Sequence, residues 1–421
     1  MNVTIHPKKL KGTVAIPSSK SLSHRAIIAA SLSDEESVIS NVMFSKDILA
    51  TIEGMKALGA KIEIEGTTLK IKGSRVKRTR NMIDANESGS TLRFLIPIAL
   101  VNSEPIEFIG HNHLVNRPLD SYFEIFDKIG IKYTHPKDAY LPLKTSGGLT
   151  SGVYEVKGNI SSQFITGLLF ALPLIEGNSI IKIIGQLESK GYVDLTLDIL
   201  SKFGISIINH NYETFEIKGN QSYRGYNYTV EGDYSQTAFF LIAGAMGAEV
   251  KLKGMNQVSY QGDKKIVDDI KALGGNVKFD DELLYCLPSQ TKGATIDFSQ
   301  SPDLGPALTV LSSVSEGTSH FTHVARLRIK ECDRVTCMKE ELEKLGARID
   351  EEPDTMRIYG VSKLHGGVVD SHNDHRVAMA LAMTSLKMNE PLTILNAECV
   401  SKSYPTFWNV FEELGGKITY E

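Results

Sequence analysis

The segment PSSKSLSHRAIIAASL, residues 17–32, places basic side chains where an apolar helical run begins. Lys20, His24 and Arg25 gain nothing from the start of a helix, because the helix dipole puts partial positive charge there. The free backbone N–H groups of a first turn instead suit an anion, which the basic side chains would then share. The segment therefore predicts a site for a negatively charged ligand.

Five further segments likewise begin with Ser or Asp and continue as apolar runs, namely ESGSTLRFL, SSQFITGLL, GDYSQTAFF, SPDLGPALT and NDHRVAMAL. The six segments predict capped helices, whose starts are marked by Ser21, Ser90, Ser162, Ser235, Asp303 and Asp374. The unusual polar residues of the chain lie at these starts: Lys20, Ser21, Arg25, Gly89, Arg93, Ser161, Ser162, Gln163, Asp233, Asp303, His375 and Arg376. Capping alone explains a Ser or Asp at a helix start, but it does not explain the arginines. We therefore expect anions at several helix starts.

The segment RLRIKECDR crowds opposite charges at the boundary between two predicted elements. Its charged residues are Arg326, Arg328, Lys330, Glu331, Asp333 and Arg334. A solvated helix face explains the charges of the following MKEELEKLG, but it explains this boundary less well. The segment is therefore a second candidate for anion binding.

Possible metal ligands do not form a convincing set. His372 is expected to precede a helix cap and His375 to lie inside the helix, so the two rings do not share one face. Cys332 and Cys337 have no second cysteine pair beside them. The chain also lacks a glycine-rich phosphate loop and a dinucleotide fingerprint. We expect neither a metal nor an organic cofactor.

Two interleaved series of helices position these residues. An apolar residue followed by glycine ends an amphipathic run six times, at intervals of 69 to 74 residues, with the glycines at Gly59, Gly130, Gly204, Gly274, Gly346 and Gly415. The capped helices recur at similar intervals and are apolar nearly all round, so they are expected to be buried. Each repeat predicts a βαβαββ unit. The sixth repeat lacks its last strand, which the N-terminal NVTIH could supply.

Six such units predict an α/β protein of two similar domains, each built from three βαβαββ units packed as an inside-out α/β barrel. A chain of 421 residues is too long for one ordinary core. We expect residues 1–14 plus 233–421 to form the C-terminal-half domain, and residues 15–232 the N-terminal-half domain. The two chain crossings predict a hinge, and bound anions are expected to favour closure about it.

The composition excludes several classes of partner. The net charge is −4, from 46 basic and 50 acidic residues, which argues against a general nucleic-acid binder. Apolar runs such as GLLFALPLI are far shorter than the ~20 residues that span a bilayer. Four cysteines are too few for a disulfide framework. We expect a cytoplasmic monomer that acts on small molecules, with no nucleic-acid or membrane partner.

The motifs together resemble those of the 5-enolpyruvylshikimate-3-phosphate synthase family, over the full length of the chain. They are PSSKSLSHRA, ESGSTLRFL, NRPL, ISSQFITGLL, GQLESKGYVDLTL, VEGDYSQTAFFL, SPDLGPALT, RIKECDRV, NDHRVAMALA and SKSYPTFW, in this order. The resemblance implies two domains of three inside-out units each. It also implies transfer of the enolpyruvyl group of phosphoenolpyruvate to the 5-hydroxyl of shikimate 3-phosphate, in the shikimate pathway, with release of phosphate and without a cofactor.

The resemblance also implies which residues bind the two substrates. The residues expected to hold shikimate 3-phosphate are Lys20, Ser21, Arg25, Ser161, Ser162, Gln163, Ser189, Tyr192, Asp303 and Lys330. Those expected to hold phosphoenolpyruvate are Lys20, Gly89, Arg117, Gln163, Arg334, Arg376 and Lys402. Arginine forks suit carboxylate and phosphate, and several cations offset the repulsion between two bound anions.

The catalytic residues implied by the resemblance are Asp303, Glu331 and Lys20. Asp303 matches the carboxylate that accepts the proton of the 5-hydroxyl. Glu331 and Lys20 match groups beside the methylene carbon, which gains a proton as the 5-oxygen adds to the neighbouring carbon. The tetrahedral intermediate then loses a proton from its new methyl group together with phosphate, and this elimination restores the double bond.

Two other functions stay open at this point. One is the related transferase that uses UDP-N-acetylglucosamine as the acceptor, which shares the fold and the donor but lacks the SSQF and SKGY pattern. The other is a non-enzymatic clamp built from repeats, which would need a basic inner face. Glu87, Arg326 and Cys332 depart from the usual family pattern, so they bear on details of the two binding sites.

Overall fold

Six glycines end helices in the computed structural model, which describes residues 1–280 and 282–421. They are Gly59, Gly130, Gly204, Gly274, Gly346 and Gly415, and their φ angles lie between 77° and 106°. Glycine adopts this left-handed conformation at little cost, whereas a Cβ would strain it. The predicted helix ends are therefore confirmed.

The chain divides into two compact units. The C-terminal unit comprises Met1–Ser19 and Glu231–Glu421, and the N-terminal unit comprises Lys20–Val230. Each unit has its own hydrophobic core, formed by residues of that unit alone. The different roles predicted for the two domains stay a prediction.

The strands that precede the N-terminal unit are β1 (Val3–His6) and β2 (Lys11–Ala15). The elements of the N-terminal unit are α1 (Lys20–Ser31), β3 (Ser37–Ser40), α2 (Lys46–Ala57), β4 (Lys61–Glu65), β5 (Thr68–Lys72), β6 (Met82–Asp84), α3 (Gly89–Ala99), β7 (Ile106–Ile109), α4 (Asp120–Ile129), β8 (Lys132–Thr134), β9 (Leu143–Ser146), β10 (Val153–Lys157), α5 (Ser162–Ala171), β11 (Ser179–Ile184), α6 (Lys190–Lys202), β12 (Ile207–His210), β13 (Thr214–Ile217) and β14 (Tyr228–Thr229). Short 3₁₀ helices span Asn112–Asn116 and Leu172–Leu174.

The remaining elements belong to the C-terminal unit. They are α7 (Tyr234–Ala245), β15 (Glu249–Lys253), α8 (Ile266–Ala272), β16 (Asn276–Asp280), β17 (Leu283–Leu287), β18 (Thr295–Asp297), α9 (Gly305–Ser313), β19 (Thr318–Thr322), α10 (Arg334–Lys344), β20 (Arg348–Glu351), β21 (Thr355–Tyr359), β22 (Gly367–Asp370), α11 (His375–Thr384), β23 (Leu392–Leu395), α12 (Phe407–Glu413) and β24 (Lys417–Tyr420). Its 3₁₀ helices are Gly262–Lys265, Pro302–Leu304, Ala325–Ile329, Ser385–Lys387 and Ala397–Lys402.

The strands of the described residues form four-stranded sheets with one recurring pattern. In the third repeat, β10 runs parallel to β11, which pairs antiparallel with β13, and β13 pairs antiparallel with β12. In this repeat the strand before the buried helix α5 is thus parallel to the strand after it, as a βαβ crossover requires. Around α1 and α7 the partners are exchanged, since β2 pairs in parallel with β15 and β14 with β3. These mixed sheets and the apolar helices between them are the predicted α/β fold.

The first residues complete the last repeat. Strand β1 lies between β23 and β24 and pairs antiparallel with both, with Thr4 opposite Thr393 and Thr419. The prediction that the N-terminal strand supplies the missing strand of the sixth repeat is therefore confirmed. Strand β2 joins the same unit by pairing in parallel with β15.

The apolar helices are buried as predicted. Every residue of α7 is buried, and in α3 only Ser90 is not fully buried. Ser or Asp caps four of them as predicted, and the cap residues are Ser88, Ser161, Asp233 and Asp374. Asp303 was expected to be a cap, and this is wrong, since it lies in the 3₁₀ helix before α9 and makes no cap hydrogen bond.

Candidate functional site

Asp303 is the centre of a dense charge cluster in the C-terminal unit. Its Oδ1 lies 2.9 Å from Arg334 Nη1 and 3.1 Å from Lys330 Nζ. Its Oδ2 accepts a hydrogen bond of 3.1 Å from Arg376 Nη2. The 3₁₀ turn that begins at Pro302 presents Asp303 ahead of α9, while Arg334 and Arg376 come from the first turns of α10 and α11. Three helix starts thus contribute to one cluster.

Arg334 is almost completely buried in this cluster and contacts three carboxylates. Besides Asp303, its Nε donates to Asp374 Oδ2 at 2.7 Å and its Nη2 donates to Glu331 Oε2 at 2.7 Å. Burial disfavours the charge, but Asp374, Glu331 and Asp303 together raise the pKa of Arg334 above its usual value. The guanidinium is therefore a fixed cation that orients the two predicted acid–base residues, Asp303 and Glu331.

The cluster shifts the pKa of its other members. Burial alone would raise the pKa of Asp303, but Arg376, Lys330 and Arg334 together hold it well below its usual range. Burial lowers the pKa of Lys330 to about 8, and Arg334 and Arg326 add to this effect against Asp303. Asp303 is therefore ionised near neutral pH, whereas Lys330 can lose its proton in mildly alkaline solution. Perturbed groups of this kind are typical of active sites.

Two further residues of the C-terminal unit complete its part of the site. Lys402 ends the 3₁₀ helix Ala397–Lys402, which packs against α11, and its side chain is buried. Asp263 is a buried carboxyl that sequence reasoning missed, and Ser235 Oγ donates to it. Burial and the nearby Asp303 raise the pKa of Asp263 to about 6. No local sequence pattern distinguishes Asp263 from the other acidic residues near it in the sequence.

In the N-terminal unit, Arg25 contacts two other residues of the predicted shikimate 3-phosphate set. Its Nη1 donates to the Ser21 carbonyl at 2.8 Å, and its Nη2 donates to the Tyr192 carbonyl at 3.0 Å. Its Nε donates to Thr196 Oγ1 at 2.9 Å, a contact that the motifs did not predict. Ser189 lies at the cap position of α6 in the left-handed conformation, directly before Lys190. Helices α1 and α6 therefore present these residues together.

Gln163 connects two of the buried helix starts. Its Oε1 accepts from Arg93 Nη1 at 2.7 Å, and its Nε2 donates to Ser90 Oγ at 2.9 Å. The cap Ser161 accepts from the backbone N–H of Gln163 at 3.3 Å, and Ser162 begins α5. These hydrogen bonds show that the first turns of α3 and α5 are adjacent.

Lys20 and Gly89 lie at the starts of α1 and α3. Lys20 Nζ pairs with Asp47 Oδ2 at 2.8 Å, and both side chains are largely buried. Gly89 begins α3, and a Cβ added there would lie 2.6 Å from Arg117 Nη1. The structure therefore brings together Gly89 and Arg117, two members of the predicted phosphoenolpyruvate set. Lys20 belongs to this unit, whereas the other predicted catalytic residues, Asp303 and Glu331, belong to the C-terminal unit.

Among the described residues, Glu340, Glu341 and His372 offer ligand atoms within 4.8 Å of one another. Glu341 already accepts from His372 Nε2 at 2.7 Å and from Lys344 Nζ at 2.7 Å. His375, the other histidine of the H-x-x-H motif, is buried in α11. The two histidines therefore do not face one metal position.

In addition, no helix in the described part of the chain is long and apolar enough to cross a membrane.

Two of the solved structures that share this fold are named as enolpyruvyl-transferring enzymes. The EPSP synthase from Acinetobacter baumannii matches with a TM-score of 0.81 and 24% identity over 100% of both chains. The enolpyruvyl transferase NikO from Streptomyces tendae matches with a TM-score of 0.82 and 17% identity, over 100% of this chain and 98% of that one. At these identities the likeness shows the fold alone.

The sequence comparisons are more specific. The family model EPSP synthase (3-phosphoshikimate 1-carboxyvinyltransferase) matches residues 5–411, and the chain belongs to this family. A curated 3-phosphoshikimate 1-carboxyvinyltransferase from Clostridium perfringens is 51% identical over 422 residues, with 100% of this chain and 99% of the relative covered. That from Clostridium acetobutylicum is 51% identical over 420 residues, with 99% and 98% covered. The family predicted from the motifs is confirmed.

Proposed function

We propose that this chain transfers the enolpyruvyl group of phosphoenolpyruvate to the 5-hydroxyl of shikimate 3-phosphate, with release of phosphate. Relatives that share about half of its residues along their full length are 3-phosphoshikimate 1-carboxyvinyltransferases. The observation that carries the proposal is the cluster of Asp303 with Lys330, Arg334 and Arg376. It provides an ionised carboxylate for a hydroxyl proton and cations for a phosphorylated donor.

The first substrate set is assigned to the acceptor. We assign Arg25, Ser21, Tyr192, Ser189, Ser161, Ser162, Gln163 and Lys20 of the N-terminal unit, with Asp303 and Lys330 of the C-terminal unit, to shikimate 3-phosphate. Arg25 supports this role because its three nitrogens are already oriented by Ser21, Tyr192 and Thr196. An oriented guanidinium loses little entropy on binding a phosphate.

The second set holds the donor. We assign Lys20, Gly89, Gln163, Arg117, Arg334, Arg376 and Lys402 to phosphoenolpyruvate, whose phosphate and carboxylate both suit arginine forks. The first-turn N–H groups of α3, beside Gly89, are suited to the same anion. Shikimate 3-phosphate supplies the attacking hydroxyl and phosphoenolpyruvate supplies the leaving phosphate, so we propose that no cofactor is required.

Asp303 gains basicity when the donor binds, in this proposal. Arg334 and Arg376 hold the Asp303 pKa low in the free protein. Once these arginines also neutralise phosphoenolpyruvate, they stabilise the Asp303 carboxylate less, so it accepts the 5-hydroxyl proton more readily. Glu331 is held by Arg334 on the same cluster, and it or Lys20 supplies the proton to the methylene carbon.

We further propose that the protein acts as a cytoplasmic monomer. Its four cysteines are free thiols, and such use of cysteine is typical of a reducing compartment. All residues assigned to the two substrates come from a single chain.

Phosphate release from phosphoenolpyruvate tests the proposed reaction. We expect release with shikimate 3-phosphate and none with UDP-N-acetylglucosamine or with phosphoenolpyruvate alone. Release with UDP-N-acetylglucosamine but not with shikimate 3-phosphate would contradict the proposed acceptor. Size-exclusion chromatography with light scattering tests the monomer.

Replacing Gly89 by alanine is expected to impair donor binding. The new Cβ would lie 2.6 Å from Arg117 Nη1 and 3.0 Å from its Cζ, so the guanidinium must move. A shift of this size in a substrate-binding group should raise the KM for phosphoenolpyruvate by about 10- to 100-fold. Gly148→Ala is the matched control, because its added Cβ would make only ordinary contacts from 3.6 Å. An unchanged donor KM in Gly89→Ala would remove Arg117 from the donor set.

The low pKa of Lys330 predicts that kcat/KM for shikimate 3-phosphate has an upper pH limit. The protonated amine attracts the phosphorylated acceptor, and deprotonation removes that attraction, so kcat/KM for shikimate 3-phosphate should fall above pH about 8. Arg326 contributes to the low pKa, so Arg326→Gln should move this limit to higher pH. The exposed Arg348→Gln should leave the limit in place. A limit that stays unchanged in Arg326→Gln would contradict the assignment to Lys330.

A further inference from the structure

A buried chain of hydrogen bonds runs through three helices of the N-terminal unit. His24 Nδ1 on α1 lies 2.7 Å from Thr51 Oγ1 on α2, and Thr51 Oγ1 lies 2.7 Å from Thr91 Oγ1 on α3. The Thr91 hydroxyl lies 2.8 Å from Oγ of Ser88, the residue that caps α3. All four side chains have no exposed surface. This chain of hydrogen bonds therefore begins at His24 and ends at Ser88, the cap of α3.

The same chain also meets the Lys20 ion pair. The Thr91 hydroxyl lies 3.3 Å from the backbone carbonyl oxygen of Asp47, whose carboxylate holds Lys20. Lys20 and His24 are one turn apart on α1, and Asp47 and Thr51 are one turn apart on α2, so each pair lies on one face of its helix. Two parallel connections thus join α1 to α2. Thr91 of α3 bonds to the one that contains Thr51 and lies close to the other, with the shorter 2.8 Å distance to Ser88 taking its single hydroxyl proton.

The surroundings of His24 fix its protonation. Burial, together with the nearby Lys20 and Arg25, lowers the pKa of His24 well below its usual value, so the ring is neutral at neutral pH. Its Nε2 is buried and has no hydrogen-bond partner among the described residues. A proton on Nε2 would bury an N–H group without an acceptor, which is costly. We therefore assign the proton to Nδ1.

This tautomer gives every hydrogen bond of the chain one direction. His24 Nδ1–H donates to Thr51, the Thr51 hydroxyl donates to Thr91, and the Thr91 hydroxyl donates to Ser88. Ser88 also accepts from the backbone N–H of Thr91 at 3.1 Å, which is its bond as the cap of α3. The orientation of the cap is thus determined from His24 onwards, and the Thr51 and Thr91 hydroxyls each donate and accept. Buried hydrogen bonds that depend on one another in this way hold their members in defined positions.

We propose that His24 is a positioning residue for the donor side of the site: through Thr51 and Thr91 it holds the start of α3 in register with Lys20. This role rests on the proposed function, in which Lys20 and the Gly89 turn bind phosphoenolpyruvate. An anion shared by two helix starts needs both at a fixed separation, since a displacement near 1 Å can cost about 100-fold in rate. His24 itself touches neither substrate in this proposal.

Steady-state kinetics of three variants test the role. His24→Leu and Thr51→Val each interrupt the chain, so each should raise the KM for phosphoenolpyruvate about 10-fold or more, with a smaller change in the KM for shikimate 3-phosphate. The double variant should be no worse than the worse single one, because both remove the same connection. His24→Asn, whose amide can donate to Thr51, should restore most of the donor affinity.

Thr145→Val is the matched control. Thr145 is a buried threonine of β9 in the same unit, and its hydroxyl has no partner among the described residues. All kinetic constants of this variant should equal those of the unchanged protein. Thermal unfolding of each variant separates a loss of folding from a loss of donor affinity. Additive effects, or equal increases in both KM values in folded variants, would overturn the proposal.

Nuclear magnetic resonance of ¹⁵N-labelled histidine tests the chain without an activity assay. The His24 ring should show the Nδ1–H tautomer and should not titrate near neutral pH, as follows from its lowered pKa. An Nε2–H tautomer or a titration in this range would overturn the assigned direction. A wild type that releases no phosphate contradicts the proposed function, whereas an active wild type with unchanged donor KM in the folded variants contradicts only the role of His24.

Discussion

Asp303→Asn is expected to lower kcat by about 100- to 10,000-fold, the range typical of a lost general base. The amide retains the shape of the carboxylate but cannot accept the 5-hydroxyl proton. The substitution also leaves Lys330, Arg334 and Arg376 without their shared counterion, so binding of the anionic substrates should persist or tighten. Rapid-quench measurement of a single turnover, with both substrates saturating, isolates the chemical step.

Asp350→Asn is the matched control for this substitution. Asp350 is an exposed carboxylate on β20 of the same unit, where it accepts from Tyr359 at 2.8 Å. Its replacement should leave kcat unchanged. A folded Asp303→Asn variant with near-normal turnover would exclude Asp303 as the base, and the proton would then have to go to another group.

Arg334→Met is expected to lower the free energy of unfolding by about 3–5 kcal/mol, because it leaves buried carboxylates without their cation. Asp374, which has no exposed surface, would lose its contact with Nε, and Glu331 and Asp303 would lose theirs with the two Nη atoms. Urea unfolding at pH 7 measures the effect. The decrease in unfolding free energy should be smaller at low pH, because protonated carboxyl groups are neutral and are no longer stabilised by the cation.

The control for Arg334→Met is Arg357→Met on β21, where the side chain is exposed. This change should alter the unfolding free energy by no more than about 0.5 kcal/mol. If Arg334→Met were equally mild at pH 7, the carboxylates around it would have to be protonated or solvated in the folded protein. That result would contradict the charge distribution described for the cluster.

The spacing of the helices along the chain and the positions of their ends were predictable from local sequence. Glycine takes the left-handed conformation more cheaply than any other residue, so the six glycines mark helix ends wherever the rest of the chain lies. The resemblance to the family also identified Arg25, Asp303 and Arg334 as site candidates, and Arg25 was indicated independently because a cation at a helix start needs an anion. In the same way, the incomplete sixth repeat indicated that the N-terminal strand pairs with β23 and β24.

The tertiary structure alone decided which charges meet. Asp303 and Arg334 precede different helices of the fifth repeat and Asp374 lies in the sixth, and no periodicity of the sequence predicts that one guanidinium will contact both carboxylates. The expected cap role of Asp303 failed for the same reason, since its partners are distant cations and not the N–H groups of its own helix. The connection of His24 through Thr51 to Thr91 is likewise formed across three helices. Local sequence determines where elements begin and end, whereas partners far apart in the chain are selected by the packing of whole helices.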